Sequence, residues 1–248
     1  MTSREATGLL PRNMVEEANP IPRAVSDWLH VLAFGAIGWP WLVRSLSGGR
    51  KKDKLTLLKR LELSHDALPN LGSWKADTAL LQRIVNLVEA NRPANVVELG
   101  SGASTLVTAR ALQLFQGGSL HSYDQHADFV GATGEWLAEH GLGANMHHAP
   151  LVPAPGDWPG YWYKLSRLPD VIDMLIIDGP PWSVHPYVRG AAEVLFPRIP
   201  PGGVIVLDDA ARPGERIVAR RWRRNWPDFE FELVRDGTKG TLVGRRLY

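Results

Sequence analysis

Cysteine is absent from the 248-residue chain, which excludes disulfides, thiolate metal sites and a Cys nucleophile and is compatible with a cytoplasmic setting. Also missing is an apolar run long enough to cross a bilayer. The longest, Trp28–Val43, holds 16 residues and contains Pro40, whereas a spanning helix needs about 20. It starts too far into the chain to read as an ordinary signal peptide. Internal repeats and low-complexity tracts are lacking as well. Net charge is small, with 28 basic against 26 acidic residues, and a charged fraction of 22% with 44% hydrophobic residues is that of a folding chain, not a disordered one.

What is present suits one α/β domain with an N-terminal extension. Residues 1–24 are polar and carry Pro11, Pro20 and Pro22, which reads as an irregular lead-in. The apolar segment 28–43 runs into Arg50-Lys51-Lys52-Asp53-Lys54. Two readings apply to 25–54: a helix packed on the main domain or in a homodimer interface, or a peripheral membrane segment with Trp28, Trp39 and Trp41 at headgroup depth. We set the extension at 1–66 and the main domain at 67–248. From about Lys75 helical and apolar strand segments alternate: helix Asp77–Ala90, strand Asn95–Leu99, helix Ala103–Phe115, strand Ser119–Tyr123, helix Ala127–His140 and strand Asn145–Ala149. Strand Val171–Ile177, helix Tyr187–Phe196, strand Gly203–Leu207 and helix Gly214–Asn225 follow. Two last strands, Phe229–Val234 and Gly240–Leu247, flank the hairpin signal Asp236-Gly237. The pattern predicts a Rossmann-like, doubly wound seven-stranded sheet, mostly parallel, with a C-terminal antiparallel hairpin.

Ligands in such sheets bind beyond the carboxyl ends of the strands. There lies Gly100-Ser101-Gly102-Ala103-Ser104-Thr105, a glycine turn opening a helix, whose backbone N–H groups approach a ligand closely. Thr105 replaces the third glycine of the dinucleotide fingerprint and Glu98 precedes the turn, so a pyrophosphate is disfavoured and a cationic tail suits the crevice. Asp124 ends the next strand, where a carboxylate takes ribose hydroxyls. An adenosine with a cationic tail fits better than a nicotinamide dinucleotide.

Val-Val-Glu-Leu-Gly-Ser-Gly-Ala-Ser-Thr at 96–105 resembles motif I of class I methyltransferases dependent on S-adenosylmethionine (SAM), of the O-methyltransferase or methyltransferase family 24 type. His-Ser-Tyr-Asp at 121–124 resembles their ribose-binding motif. The resemblance implies that Glu98, Gly100, Ser101, Gly102, Ser104, Asp124 and Asp178 hold SAM, that Trp74 in Leu71-Gly72-Ser73-Trp74 borders its pocket, and that His147-His148-Ala149 lies near the adenine.

Asp178-Gly179-Pro180-Pro181 follows the fourth strand and Asp208-Asp209 the fifth, so three carboxylates converge on the same crevice. This resembles the catechol-type metal-dependent O-methyltransferases, although their Asp-Asn pair is Asp208-Asp209 here and no Lys follows Asp178. The resemblance implies Asp178, Asp208 and Asp209 as metal ligands, and all-oxygen donors would suit Mg²⁺. Without a metal, Asp178 or His185 is the candidate general base, His185 being equally placed to cap the helix after Pro186. Trp158, Trp162 and Trp182 are candidates for an aromatic substrate wall or for core packing. Arg216, Arg220, Arg223 and Arg224 recur at helical spacing, but no RNA-binding module accompanies them, so nucleic acid is not the expected partner. The resulting expectation is O-methylation of a small-molecule, sugar or lipid-linked acceptor, in the cytoplasm or at a membrane surface. The rivals are an inactive SAM-binding or peripheral membrane protein, and aminopropyl transfer on the same fold.

Overall fold

The computed structural model describes residues 25–72 and 75–248. Two helices, α1 (Val25–Ser45) and α2 (Lys51–Arg60), precede α3 (Thr78–Asn91). The alternating part comprises β1 (Asn95–Leu99), α4 (Ala103–Leu114), β2 (Ser119–Asp124), α5 (Ala127–Glu139) and β3 (Asn145–His148), then β4 (Leu151–Pro153), β5 (Tyr161–Tyr163) and β6 (Met174–Ile177). A 3₁₀ helix (Val188–Arg198), β7 (Val204–Leu207), α6 (Pro213–Asn225), β8 (Phe229–Val234) and β9 (Thr241–Arg246) complete it.

Seven strands form one sheet in the order β3-β2-β1-β6-β7-β9-β8. The first five are parallel and β9 and β8 antiparallel, which is the predicted architecture. Period-two alternation sorts the central strands onto two faces. Val96, Met174, Ile176, Val204 and Val206 join the core under α2, α3, α4 and α5. Val97, Leu99, Leu175, Ile177, Ile205 and Leu207 join the core under the 3₁₀ helix and α6. The chain leaves β1 towards β2 and returns on its other side as β6, so the crevice lies at the carboxyl ends of β1 and β6.

Asp77 starts α3 by accepting the Leu80 N–H at 2.9 Å, and its other oxygen accepts the Thr238 N–H at 2.7 Å, which pins the turn between β8 and β9. Leu57, Leu58 and Leu61 of the N-terminal extension are buried in the same core as α3 and α4.

Three local expectations shift. The run Val171–Ile177 enters the sheet only at Met174, because Val171 is exposed and the Asp173 side chain turns back to accept the Asn95 N–H at 2.8 Å. The helix expected at 187–196 is 3₁₀, with the Gly190 carbonyl accepting the Trp222 indole N–H at 3.0 Å. The antiparallel pair β4–β5 was not expected, each strand being only three residues in a proline-rich stretch.

Candidate functional site

The glycine turn follows β1, where Gly100 has φ +97° and Gly102 φ +152°. A Cβ on Gly100 would stand 2.9 Å from the Gly179 nitrogen and 3.0 Å from the Asp178 carbonyl carbon. Glycine is therefore required by conformation and by contact, and the turn rests directly on the loop after β6. The Asp178 N–H donates to the Leu99 carbonyl at 2.8 Å and the Gly100 N–H to the Tyr123 carbonyl at 2.8 Å. Glu98, Asp124 and Asp178 thus share one edge of the sheet.

Glu98 is fully buried. Its Oε2 accepts hydroxyl hydrogens from Thr105 and Ser122, each at 2.6 Å, while its Oε1 has no hydrogen-bond partner among the described residues. Burial outweighs those hydrogen bonds and pushes its pKa up to about 7. Asp124 accepts N–H groups from Ser101 at 3.1 Å and His126 at 2.9 Å, so it joins the turn to the start of α5. Ser101 Oγ lies 2.9 Å from Ser122 Oγ. Ser104 is buried at the start of α4. In β3, His147 stacks on Tyr123 with ring centroids 4.6 Å apart, so it lies over the sheet, while His148 and Ala149 sit beside the end of β2. Trp74 lies outside the described residues.

Asp178, Asp208 and Asp209 do converge, with one oxygen of each within 4.8 Å of the others. Three cations that sequence reasoning did not place are already among them. Arg189 of the 3₁₀ helix approaches Asp209 at 3.1 Å and Asp178 at 3.5 Å. Arg212 lies 2.8 Å from Asp209. Lys239, from the turn between β8 and β9, is 3.3 Å from Asp208 and 3.6 Å from Asp209. Three carboxylates face three cations, and Lys239 and Arg189 are themselves buried, so the negative charge that would bind Mg²⁺ is already balanced. Asp208 Oδ1 and Asp209 Oδ1 nevertheless have no hydrogen-bond partner among the described residues, so charge balance, not a lack of donor oxygens, weighs against a divalent cation here.

The electrostatics differ within the cluster. Burial and the Asp208 charge hold Asp178 well above the usual carboxylate range, with Arg189 and Lys239 offsetting this only in part. Burial also raises Asp208. For Asp209 burial acts in the same sense, but Arg212, Lys239 and Arg189 together hold it below the ordinary value.

His185 is buried beside α1, its ring centroid 5.3 Å from that of His30. Its Nδ1 accepts the Tyr187 N–H at 3.1 Å, a local turn contact just ahead of the 3₁₀ helix and not a cap of it, and burial lowers its pKa to about 4. Trp158 and Trp162 are buried in the core, with the Trp158 indole N–H donating to Glu193 at 2.8 Å. Trp182 alone of the three candidate wall residues lines a shallow surface cleft, with Phe34 and Gly38 of α1, Pro186, Arg212 and Glu215. Since Arg212 pairs with Asp209, this cleft adjoins the carboxylates.

Residues 97–210 match the model of a family described as a methyltransferase domain. Over that stretch the chain is similar to a methyltransferase domain, and its strand order is that of the Rossmann-like methyltransferase fold. Solved structures share the fold at low identity. An O-methyltransferase from Streptomyces achromogenes, TomG, solved with SAM, is 17% identical with a TM-score of 0.52, over 80% of this chain and 89% of that one. The Podospora anserina methyltransferase PaMTH1, bound to S-adenosylhomocysteine, is 12% identical with a TM-score of 0.55, over 92% and 98%. An O-methyltransferase from Bacillus cereus is 14% identical with a TM-score of 0.51, over 87% and 99%. No curated protein matches the sequence. In this chain the residues that set the charge around Asp178 come from three separate segments, Arg189, Arg212 and Lys239. Nothing in their local sequence distinguishes them from solvated cations.

Proposed function

We propose that this methyltransferase moves the methyl group of SAM onto a hydroxyl oxygen, without a divalent metal. The observation that carries the reading is Glu98 Oε1, a buried carboxylate oxygen with no hydrogen-bond partner among the described residues at the glycine turn, where the ammonium of a methionine moiety would satisfy it. Asp124 would take the ribose hydroxyls, and the N–H groups at the start of α4 line the approach.

SAM, when bound, supplies an electrophilic methyl group on a sulfonium. The chain's own part is to orient the acceptor and remove its proton. As the C–O bond forms and the C–S bond breaks, the hydroxyl proton passes to the Asp178 carboxylate, which its raised pKa makes a competent base. Arg189 holds that loop by donating to the Asp178 carbonyl at 2.6 Å and the Pro180 carbonyl at 3.1 Å. His185 is not needed as the base, since its Nδ1 is engaged and its proton affinity is low. The cleft at Trp182 is the candidate acceptor entrance. Calorimetric titration with SAM and with S-adenosylhomocysteine tests the reading: the chain binds both and Glu98→Gln weakens them at least about tenfold. Absence of heat with either ligand overturns it.

A further inference from the structure

Helix α1 has one covered side and one solvent-exposed side. Phe34, Gly38 and Trp41 turn inward, Phe34 lying edge-on to Tyr187 with ring centroids 5.2 Å apart. On the outside, Trp28 (51% exposed), Leu32 (64%), Trp39 (61%) and Val43 (58%) recur at steps of four, seven and four residues, one continuous stripe about 22 Å long at 1.5 Å per residue. A stripe of this size on a folded surface marks a contact face. Asp27 is the only acidic residue of α1, and Arg44, Arg50, Lys51 and Lys52 follow the stripe, all exposed. Helix α6, on which α1 packs, adds exposed Arg216, Arg220, Arg223 and Arg224. Arg44, Arg216 and Arg235 line one further surface cleft. Among the described residues no helix is long and apolar enough to cross a membrane.

We propose that α1 and its basic flank dock this chain onto a bilayer carrying anionic headgroups. The helix lies in the interface plane with Trp28, Leu32, Trp39 and Val43 at the acyl boundary and the arginines and lysines on headgroup phosphates. Charge complementarity selects this occupant over a second copy of the chain, because headgroup phosphates offer negative charge to the basic flank whereas a second α1 presents the same basic residues. The inner face of the same helix walls the cleft beside Trp182, so docking and access to the cleft share one element. The inference does not depend on the proposed methyl transfer.

Flotation of the full chain with vesicles of phosphatidylcholine, with and without phosphatidylglycerol, tests it. The expected result is recovery with the anionic vesicles, weakened by salt. Trp28→Glu/Leu32→Glu/Trp39→Glu lowers the bound fraction about tenfold or more, and each of Arg216→Glu and Arg220→Glu about fivefold. The substituted apolar positions are exposed, so the melting temperature stays within a few degrees and SAM titration, read on the same samples, is unchanged. Failure of the unaltered chain to float with anionic vesicles overturns the proposal, as does flotation untouched by the triple substitution. A dimer in light scattering that the same triple substitution dissolves, with no vesicle binding, assigns the stripe to a second copy instead.

Discussion

The Thr105 hydroxyl donates to Glu98 Oε2 at 2.6 Å and accepts the Gly102 N–H at 2.8 Å, so one side chain locks the glycine turn to the buried carboxylate before it. Thr105→Val keeps the shape and loses both bonds. It should lower stability by about 1–2 kcal/mol in urea denaturation and weaken SAM binding, while Thr105→Ser restores both. Equal stability of the Val variant and the unaltered protein would show that the tie is idle.

The Glu98 pKa of about 7 stands above the ordinary 4.5, so the ligand-free folded state binds a proton more tightly than the unfolded chain. This carboxyl's contribution to stability is fully present below about pH 4.5 and is lost as pH rises through about 7. Glu98→Gln should remove that part of the pH dependence. Pairing with a ligand ammonium would lower the Glu98 pKa, so SAM binding at neutral pH should release protons. Titration in buffers of different ionisation enthalpy measures the release, which should vanish in Glu98→Gln.

Asp178 must be ionised to accept a proton, and its pKa is raised. Turnover should therefore climb with pH through that pKa instead of being flat above the usual carboxylate range. Asp178→Asn should cost about 10²- to 10⁴-fold in kcat and abolish that limb, with SAM affinity within a few-fold of the unaltered enzyme. A retained limb in the Asn variant would assign the proton to another group.

Lys239 stands between Asp208 and Asp209 where a metal would otherwise balance charge. A chelator should leave activity intact, and Mg²⁺ should not move the melting curve of the unaltered protein. Lys239→Ala should destabilise by about 3–5 kcal/mol, since two buried carboxylates lose a shared cation. Added Mg²⁺ should then recover part of the melting temperature of this variant only. A Mg²⁺ response in the unaltered chain would refute the charge-balance argument.

Gly100→Ala should disrupt both the turn and its contact with Gly179, because the new methyl group meets backbone at 2.9 Å in a left-handed conformation. A stability loss of about 1–3 kcal/mol accompanied by loss of SAM binding is the expected outcome of thermal melting and calorimetry.

Local sequence by itself determined the sheet. The apolar runs at 95–99 and 204–207, the period change to helix between them and the Asp236-Gly237 hairpin are short-range signals, because backbone pairing and burial act on neighbouring residues. The same holds for the glycine turn, since a positive φ at Gly100 is a property of one residue and its neighbours. What only the tertiary structure decided is the charge around Asp178 and the partner of Glu98. Arg189, Arg212 and Lys239 are surface-like residues in sequence, and become counter-ions, Arg189 and Lys239 buried ones, only when the 3₁₀ helix, the start of α6 and the β8–β9 turn close over one strand edge. Coulombic coupling depends on distance in space, and periodicity along the chain carries no record of it. The sides of α1 divide in the same way: the 16-residue apolar run was legible, but which of its residues face α6 and which face outward was set by packing.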